Sequence, residues 1–384
     1  MKPTALAPFF LSAFAWSVTL GMSHILVPLY AYELGYSALA IGGILSAPVL
    51  VHFAFTLIAG AFTDRFGGRR MALASYTACV LAGILFALSQ SYAALLAGQT
   101  CLVISRAIFW PAIWGLAMQL PGDRGGQTGR LNSVTNVAQI VGTAAAGLLV
   151  TAAGFRYGFW ALAGAGLCAL AAMLAFAHGA PQAQAPRGIF AAYAAIARRR
   201  STYYAILCAF MAGLPLSLSM SFYPILLVEH GHASDATGWL IALRAAGAAL
   251  VGAWAGRYLR GIGGARVPVA AGIAIGACIA AVAFVAQALP VGLFMVGVGI
   301  GSGVMTVYFQ LSVAEASTPA ERGSALALSG LGWQISHFVT PLTMGALAEL
   351  FGIGIAVAVF GALALALAAA LWPLHAWALR GARV

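Results

Sequence analysis

The chain has 384 residues, of which 62% are apolar and 7% charged, with a mean hydropathy of +0.97. Soluble domains carry about a quarter charged residues, so a water-soluble fold could not cover this much apolar surface. The formal charge of +11 arises from 19 basic and 8 acidic residues, but the basic ones sit in short clusters between apolar runs. A continuous basic face with stacking aromatics is missing, which excludes nucleic acid as a partner, and lipid headgroups and membrane topology account for the charge instead.

About 20 apolar residues cross a bilayer, and tilted spans run longer. Breaks at charge, Gly and Pro place twelve such stretches near 8–30, 38–60, 71–90, 93–118, 130–152, 158–178, 203–228, 236–259, 267–288, 290–314, 322–348 and 354–379. The first follows Lys2 as a secretory signal core would, yet it continues past Pro28 to Tyr32, too long for one, and is read as a membrane helix. Cys79, Cys101, Cys168, Cys208 and Cys278 stand singly in apolar stretches, without the close pairing of a zinc or redox site. Neither a metal nor a cofactor is expected. A nucleophile–base set and a phosphate-binding glycine loop are also missing, so the chain does not read as an enzyme.

With both termini inside, the inner segments hold Lys2, Arg65, Arg69, Arg70, Arg124, Arg130, Arg187, Arg198, Arg199, Arg200, Arg257, Arg260, Arg266, Arg322, Arg380 and Arg383. Arg106 and Arg244 fall within spans, and Arg156 is the one basic residue in an outer loop. This is a strong positive-inside bias and sets the termini in the cytoplasm, with the chain in the plasma membrane, the inner membrane of a bacterium.

The longest hydrophilic break, His178 to Thr202, carries Pro181, Pro186 and the triplet Arg198 to Arg200. It divides the chain into a six-span bundle over 1–178, a basic cytoplasmic linker over 179–202 and a second six-span bundle over 203–384. The halves echo each other: Pro28 to Gly35 resembles Pro224 to Gly231, and Gly60 to Arg65 resembles Gly252 to Arg257. Such repeats place a substrate site at their interface near the membrane midplane.

Polar residues inside the spans carry the functional reading. A buried arginine costs several kcal/mol in hydrocarbon unless it meets water, a partner or a substrate, which singles out Arg106 and Arg244. Arg106 shares a helix face with Trp110 and Trp114 at spacings of four. Arg244 precedes Gly252 by the interval that separates His52 from Gly60, pairing two cationic positions across the repeat. No Asp or Glu falls mid-span. A proton-coupled cycle would therefore rely on His24, His52 or His337, each of which also reads as a hydrogen-bonded core histidine. Asn132, Asn136, Gln139 and Thr143 form a polar stripe in span five, and Gln334, His337 and Pro341 repeat it in span eleven; the two stripes read as cavity lining. Ser217, Ser219, Ser221 and Tyr223 in span seven rank lower, because alternate residues on a helix cannot share a face.

The loop Gly60-Ala-Phe-Thr-Asp64-Arg65-Phe-Gly-Gly68-Arg69-Arg70, together with twelve spans in two halves and a basic central loop, resembles the major facilitator superfamily over the whole chain. The resemblance implies an all-α integral membrane protein with twelve transmembrane helices in two pseudo-symmetric six-helix bundles. It also implies that Asp64, Arg65 and Arg69 form a conformational latch on the cytoplasmic side, with Asp64 near the N-terminus of span eleven. Gly256 stands where the second copy would have the acid, so the latch is one-sided. Arg106 resembles the family's fourth-helix arginine, associated with proton coupling in drug antiporters. The family's fifth-helix antiporter signature is met only in part by Gly142 to Gly147, which lacks its proline. Helices one and eleven of the family border the central cavity, which favours His24 and His337 among the histidines.

The function expected is secondary active transport of a small organic solute by alternating access, in the direction of export, by a monomer. Two alternatives stand beside it: an organic-anion carrier, by symport or exchange, using Arg106 and Arg244, and a lipid or lysolipid flippase-like transporter. The partners expected are the solute, protons and membrane lipid. The expected cavity residues are His24, Arg106, Trp110, Asn136, Gln139, Arg244, Gln334 and His337.

Overall fold

The computed structural model describes residues 6–121, 124–176, 196–258, 264–318 and 321–380, with the side chains of 56–61, 64–65, 124–125, 252–258, 322–323 and 379–380 outside that set. Most of the sequence-read linker, 179–195, also lies outside it. The regular elements among the described residues are helices: α1 (Ala7–Glu33), α2 (Ala38–Phe66), α3 (Gly68–Leu88), α4 (Tyr92–Ala117), α5 (Arg124–Ala153), α6 (Phe155–Ala175), α7 (Arg200–Ser219), α8 (Phe222–Glu229), α9 (Ser234–Tyr258), α10 (Arg266–Val282), α11 (Ala288–Ala316), α12 (Arg322–Ser329), α13 (Leu331–Phe351) and α14 (Ile353–Arg380). In hydrocarbon each backbone N–H and C=O must be satisfied within its own segment, which is why apolar runs of this length fold as helices. Among the described residues nine helices are long and apolar enough to cross a membrane. Ser37 and Ser91 start α2 and α4 by accepting hydrogen bonds from the backbone N–H groups of Ala40 and Ala94, both at 3.3 Å.

Two stretches read from the sequence as continuous are broken. The span expected at 203–228 is α7 followed by α8, parted at Met220 and Ser221. Pro215 removes one backbone donor there, and the hydroxyls of Ser217, Ser219 and Ser221 donate to the carbonyls of Gly213, Pro215 and Ser217 at 3.0, 2.8 and 2.6 Å. Such back-bonding four residues along bends helices. The span expected at 322–348 is parted at Gly330 into α12 and α13, where glycine's low helix propensity permits the break. Taken as single rods, these two broken pairs with the other ten helices make twelve.

The chain divides into two compact units, Met1–Ala185 with Ala233–Ala242, and Pro186–His232 with Leu243–Val384. The stretch Ala233–Ala242, read from the sequence as part of the second bundle, thus groups with the first unit. There the Asp235 N–H donates to Thr151 Oγ1 at 3.2 Å, and Gly147 lies against the Ser234 carbonyl. In the first unit α1 packs on α5 and α6, and α3 on α4 and α6. In the second, α7 packs on α13, and α10 on α11 and α14. These pairings repeat if α7 stands for α1, α13 for α5, α10 for α3, α11 for α4 and α14 for α6.

The repeat extends to single hydrogen bonds. Where α1 ends, Gly35 takes φ 76° and the Tyr36 N–H reaches back to the Ala31 carbonyl at 3.2 Å. Where α8 ends, Gly231 takes φ 87° and the His232 N–H reaches the Leu227 carbonyl at 3.0 Å. Both are left-handed helix ends that a side chain would strain.

Candidate functional site

In the first unit, α4 carries Arg106 in a half-buried position. Its Nε is buried and has no hydrogen-bond partner among the described residues. His52 of α2 and Cys79 of α3 lie close enough to interact with it electrostatically. The helix is held there by a polar junction: Trp16 Nε1 donates to Ser105 Oγ at 2.8 Å, and Ser75 Oγ donates to the Ser105 carbonyl at 2.8 Å. An aromatic wall stands beside it. Trp16 stacks on Phe109 with centroids 3.5 Å apart and meets Trp110 edge-on at 5.9 Å, while Trp114 follows Trp110 at 5.3 Å.

On α5, Asn132 and Asn136 are exposed and Gln139 is half-buried. Thr143, buried, donates to the carbonyls of Gln139 at 2.8 Å and of Gly21 on α1 at 3.2 Å, so the lower end of that stripe binds helix to helix. His24 of α1 is buried, 3% exposed.

In the second unit Arg244 of α9 is buried, and its Nε again has no hydrogen-bond partner among the described residues. Tyr223 of α8 is fully buried, its hydroxyl has no hydrogen-bond partner among the described residues, and it interacts electrostatically with Arg244. Sequence reasoning ranked Tyr223 low because its neighbours alternate along one helix. The break at Ser221 starts a new helix and changes which residues share a face. On α13, His337 Nδ1 is 2.6 Å from Ser217 Oγ of α7, which also lies 3.1 Å from Ser336 Oγ. Gln334 is half-buried on the same helix.

Each unit thus holds one arginine within an apolar span, Arg106 or Arg244, with no carboxylate in ion-pairing distance among the described residues; the ion pair of Arg199 with Glu321 is elsewhere. An uncompensated guanidinium away from bulk water is costly, and an anion or ordered water would satisfy it. No group of three or more His, Cys, Asp or Glu able to hold a metal gathers among the described residues.

The sequence pattern of the Major Facilitator Superfamily matches residues 9–208 and again 205–381. The chain belongs to that superfamily. As a member it is a multi-pass integral membrane transporter, and its twelve rods in two repeated bundles are the superfamily's fold. Solved structures share it. The nucleoside transporter NupG is 14% identical with a TM-score of 0.80, over 97% of this chain and 99% of that one. A bacterial homologue of the human lysosomal transporter Spinster, in an inward-facing and unoccupied conformation, is 15% identical with a TM-score of 0.73, over 100% of this chain and 98% of that one. A POT family transporter in complex with 5-aminolevulinic acid is 12% identical with a TM-score of 0.79, over 98% and 97%. At these identities the likeness is one of fold. A search of curated proteins finds none that matches the chain.

Of the superfamily motif that runs from the end of α2 into α3, the side chains of Asp64 and Arg65 lie outside the described residues. Arg69 is described. Its Nε and Nη2 donate to the carbonyls of Met173 and Leu174 at 3.3 and 2.8 Å, in the last turn of α6. The Met173 carbonyl also accepts from the Phe176 N–H at 3.2 Å, and a cation there meets the negative end of the helix dipole.

Proposed function

We propose that this superfamily transporter carries a small organic anion by alternating access, with Arg106 and Arg244 as the counter-charges. The observation that carries the reading is the pair of buried Nε atoms, one in each unit, with no hydrogen-bond partner among the described residues. A cationic substrate would need buried acids, and the sequence places none mid-span. Trp110 beside Arg106 supplies an apolar wall for the organic part of the solute. His337, whose Nδ1 lies 2.6 Å from Ser217 Oγ, is the group that would take up a proton if protons drive the cycle.

Export is the direction supported by the resemblance of Arg106 to the fourth-helix arginine of antiporters. The positive-inside bias supports both termini in the cytoplasm and residence in a bacterial inner membrane. Asp64, Arg65 and Arg69 remain the proposed latch of that cycle.

The test is a thermal-shift screen of the detergent-solubilised protein with organic anions, organic cations, neutral drugs and lysolipids, at about pH 5.5 and 7.5. Anions are expected to stabilise the fold, with an affinity that falls on the order of ten- to a hundredfold in Arg106→Ala and in Arg244→Ala, as the loss of a charged hydrogen bond implies. Stabilisation confined to neutral or lipid compounds, undiminished in those variants, would return the arginines to a bracing role and favour drug or lipid export. Uptake into inside-out and right-side-out proteoliposomes then fixes the direction.

A further inference from the structure

A pocket of about 360 Å³ opens in the first unit where α1 and α3 end and α6 begins. Its wall includes Tyr30, Glu33, Ser89, Gln90, Phe155 and Arg156. It lies at the end of α3 away from its basic first turn, which carries Arg69 and Arg70.

Three features of its two charges have no structural explanation. Glu33 and Arg156 line the same small pocket, yet they form no ion pair with each other or with another described residue. Both are also placed against their helix dipoles: Glu33 is the last residue of α1, where a carboxylate meets partial negative charge, and Arg156 is in the first turn of α6, where a cation meets partial positive charge. Finally, Arg156 is the one basic residue that breaks the charge bias of the chain's loops. Both side chains are exposed, and neither helix stability nor topology asks for them; a ligand that meets both charges would supply the reason.

The rest of the wall fits such a ligand. Tyr30 and Phe155 lie with ring centroids 5.5 Å apart, and Phe159 backs Tyr30 at 5.1 Å, giving aromatic faces beside the carboxylate that attract a cation. The Tyr36 hydroxyl donates to the Gln90 backbone carbonyl at 2.9 Å and fixes the loop that brings Ser89 and Gln90 to the pocket. The guanidinium fork of Arg156 suits a planar carboxylate or a phosphate. The volume is at the lower end of the range for small-molecule sites.

We propose that this pocket binds a small zwitterion, its ammonium on Glu33 and its oxyanion on Arg156, as a site separate from the arginines of the transport site. A free amino acid and the headgroup of phosphatidylethanolamine share this chemistry.

Equilibrium dialysis of the full chain in detergent with radiolabelled L-phenylalanine tests the first source. Native mass spectrometry, counting phosphatidylethanolamine against phosphatidylglycerol retained from mixed nanodiscs, tests the second. In at least one arm the wild type is expected to retain the zwitterion. Glu33→Gln and Arg156→Gln should each weaken that binding about tenfold or more, and Arg106→Ala should leave it unchanged. Phenethylamine and phenylpropionate, which each keep one charge, should compete about tenfold more weakly than L-phenylalanine on the wild type, a comparison that needs no variant to fold. Absence of binding in both arms, equal binding by the charge variants, or full competition by a single-charge analogue would overturn the proposal. Loss in Arg106→Ala alone would assign the binding to the transport site instead, so the two readings fail separately.

Discussion

Arg199 grips the Glu321 carboxylate with two parallel hydrogen bonds, Nη1 to Oε2 at 3.1 Å and Nη2 to Oε1 at 3.0 Å. Arg199 is the N-cap residue of α7 and Glu321 that of α12, so the fork ties two helix starts of the second unit together. The hydrogen bonds from Arg199 hold the Glu321 carboxyl below its ordinary value of 4.5. Its folded form therefore binds fewer protons than its unfolded form. The stabilisation it gives is fully present above about pH 4.5, the unfolded value, and is lost as the pH falls through the lowered folded value. Glu321→Gln should melt below the wild type at neutral pH, and that gap should close on acidification below 4.5 and shrink at high salt. A gap constant from neutral to acid in thermal unfolding would show that the carboxylate charge contributes nothing.

The closest helix contacts predict the largest stability effects. A Cβ at Gly142 of α5 would fall on the Val18 carbonyl of α1, and one at Gly332 of α13 would fall on the Ile206 carbonyl of α7. These are the same helix pair in the two repeats, and in both the obstacle is backbone, which cannot rotate away. Gly142→Leu and Gly332→Leu should each destabilise by about 1–3 kcal/mol or prevent folding. Gly115→Ala, where a Cβ meets nothing within 4 Å, is the control. Thermal unfolding that ranks the control with the other two would refute the close-packing account.

That pairing was half legible in the sequence. The run Gly142 to Gly147 read as an incomplete antiporter signature, and the structure shows what small residues do there: Gly142 admits α1, and Gly147 admits the start of α9. The twelve stretches were legible because hydropathy over some 20 residues reports the bilayer directly. Breaks at Ser221 and Gly330 were not, because they depend on hydroxyl bonds within one helix turn and on a single glycine, neither of which changes the hydropathy. Arg106 and Arg244 stood out as charges in apolar runs. Tyr223 beside Arg244 did not, since 21 residues and a helix break separate them in sequence, and only the fold brings them together.

Arg69 and Asp64 stand on either side of the turn at Gly67 and are separable by experiment. Arg69 caps α6 through the Met173 and Leu174 carbonyls, residues more than a hundred positions away in sequence. Arg69→Ala should lower thermal stability by about 1 kcal/mol, the scale of a cation at an exposed helix C-terminus. Arg69→Lys should restore only part, because an ammonium cannot fork between two carbonyls. Asp64→Asn, by contrast, should leave the melting temperature unchanged while slowing transport and shifting the balance between inward- and outward-facing states, as the latch requires. Normal turnover of Asp64→Asn in proteoliposomes would remove it from that role.

Tyr223 offers the sharpest test of the anion site. Its hydroxyl is buried next to Arg244 without a hydrogen-bond partner among the described residues, a condition that costs free energy. Tyr223→Phe removes no hydrogen bond to another described residue, so the fold should be as stable as the wild type or slightly more so. If the hydroxyl donates to the substrate anion alongside Arg244, the same variant should bind that anion about fivefold to tenfold more weakly, the scale of one neutral hydrogen bond. Arg244→Lys should cost more than Tyr223→Phe, since a point charge cannot reproduce the planar fork. Unchanged substrate affinity in Tyr223→Phe, with raised stability, would mean that the hydroxyl faces only protein and that Arg244 binds the anion without it.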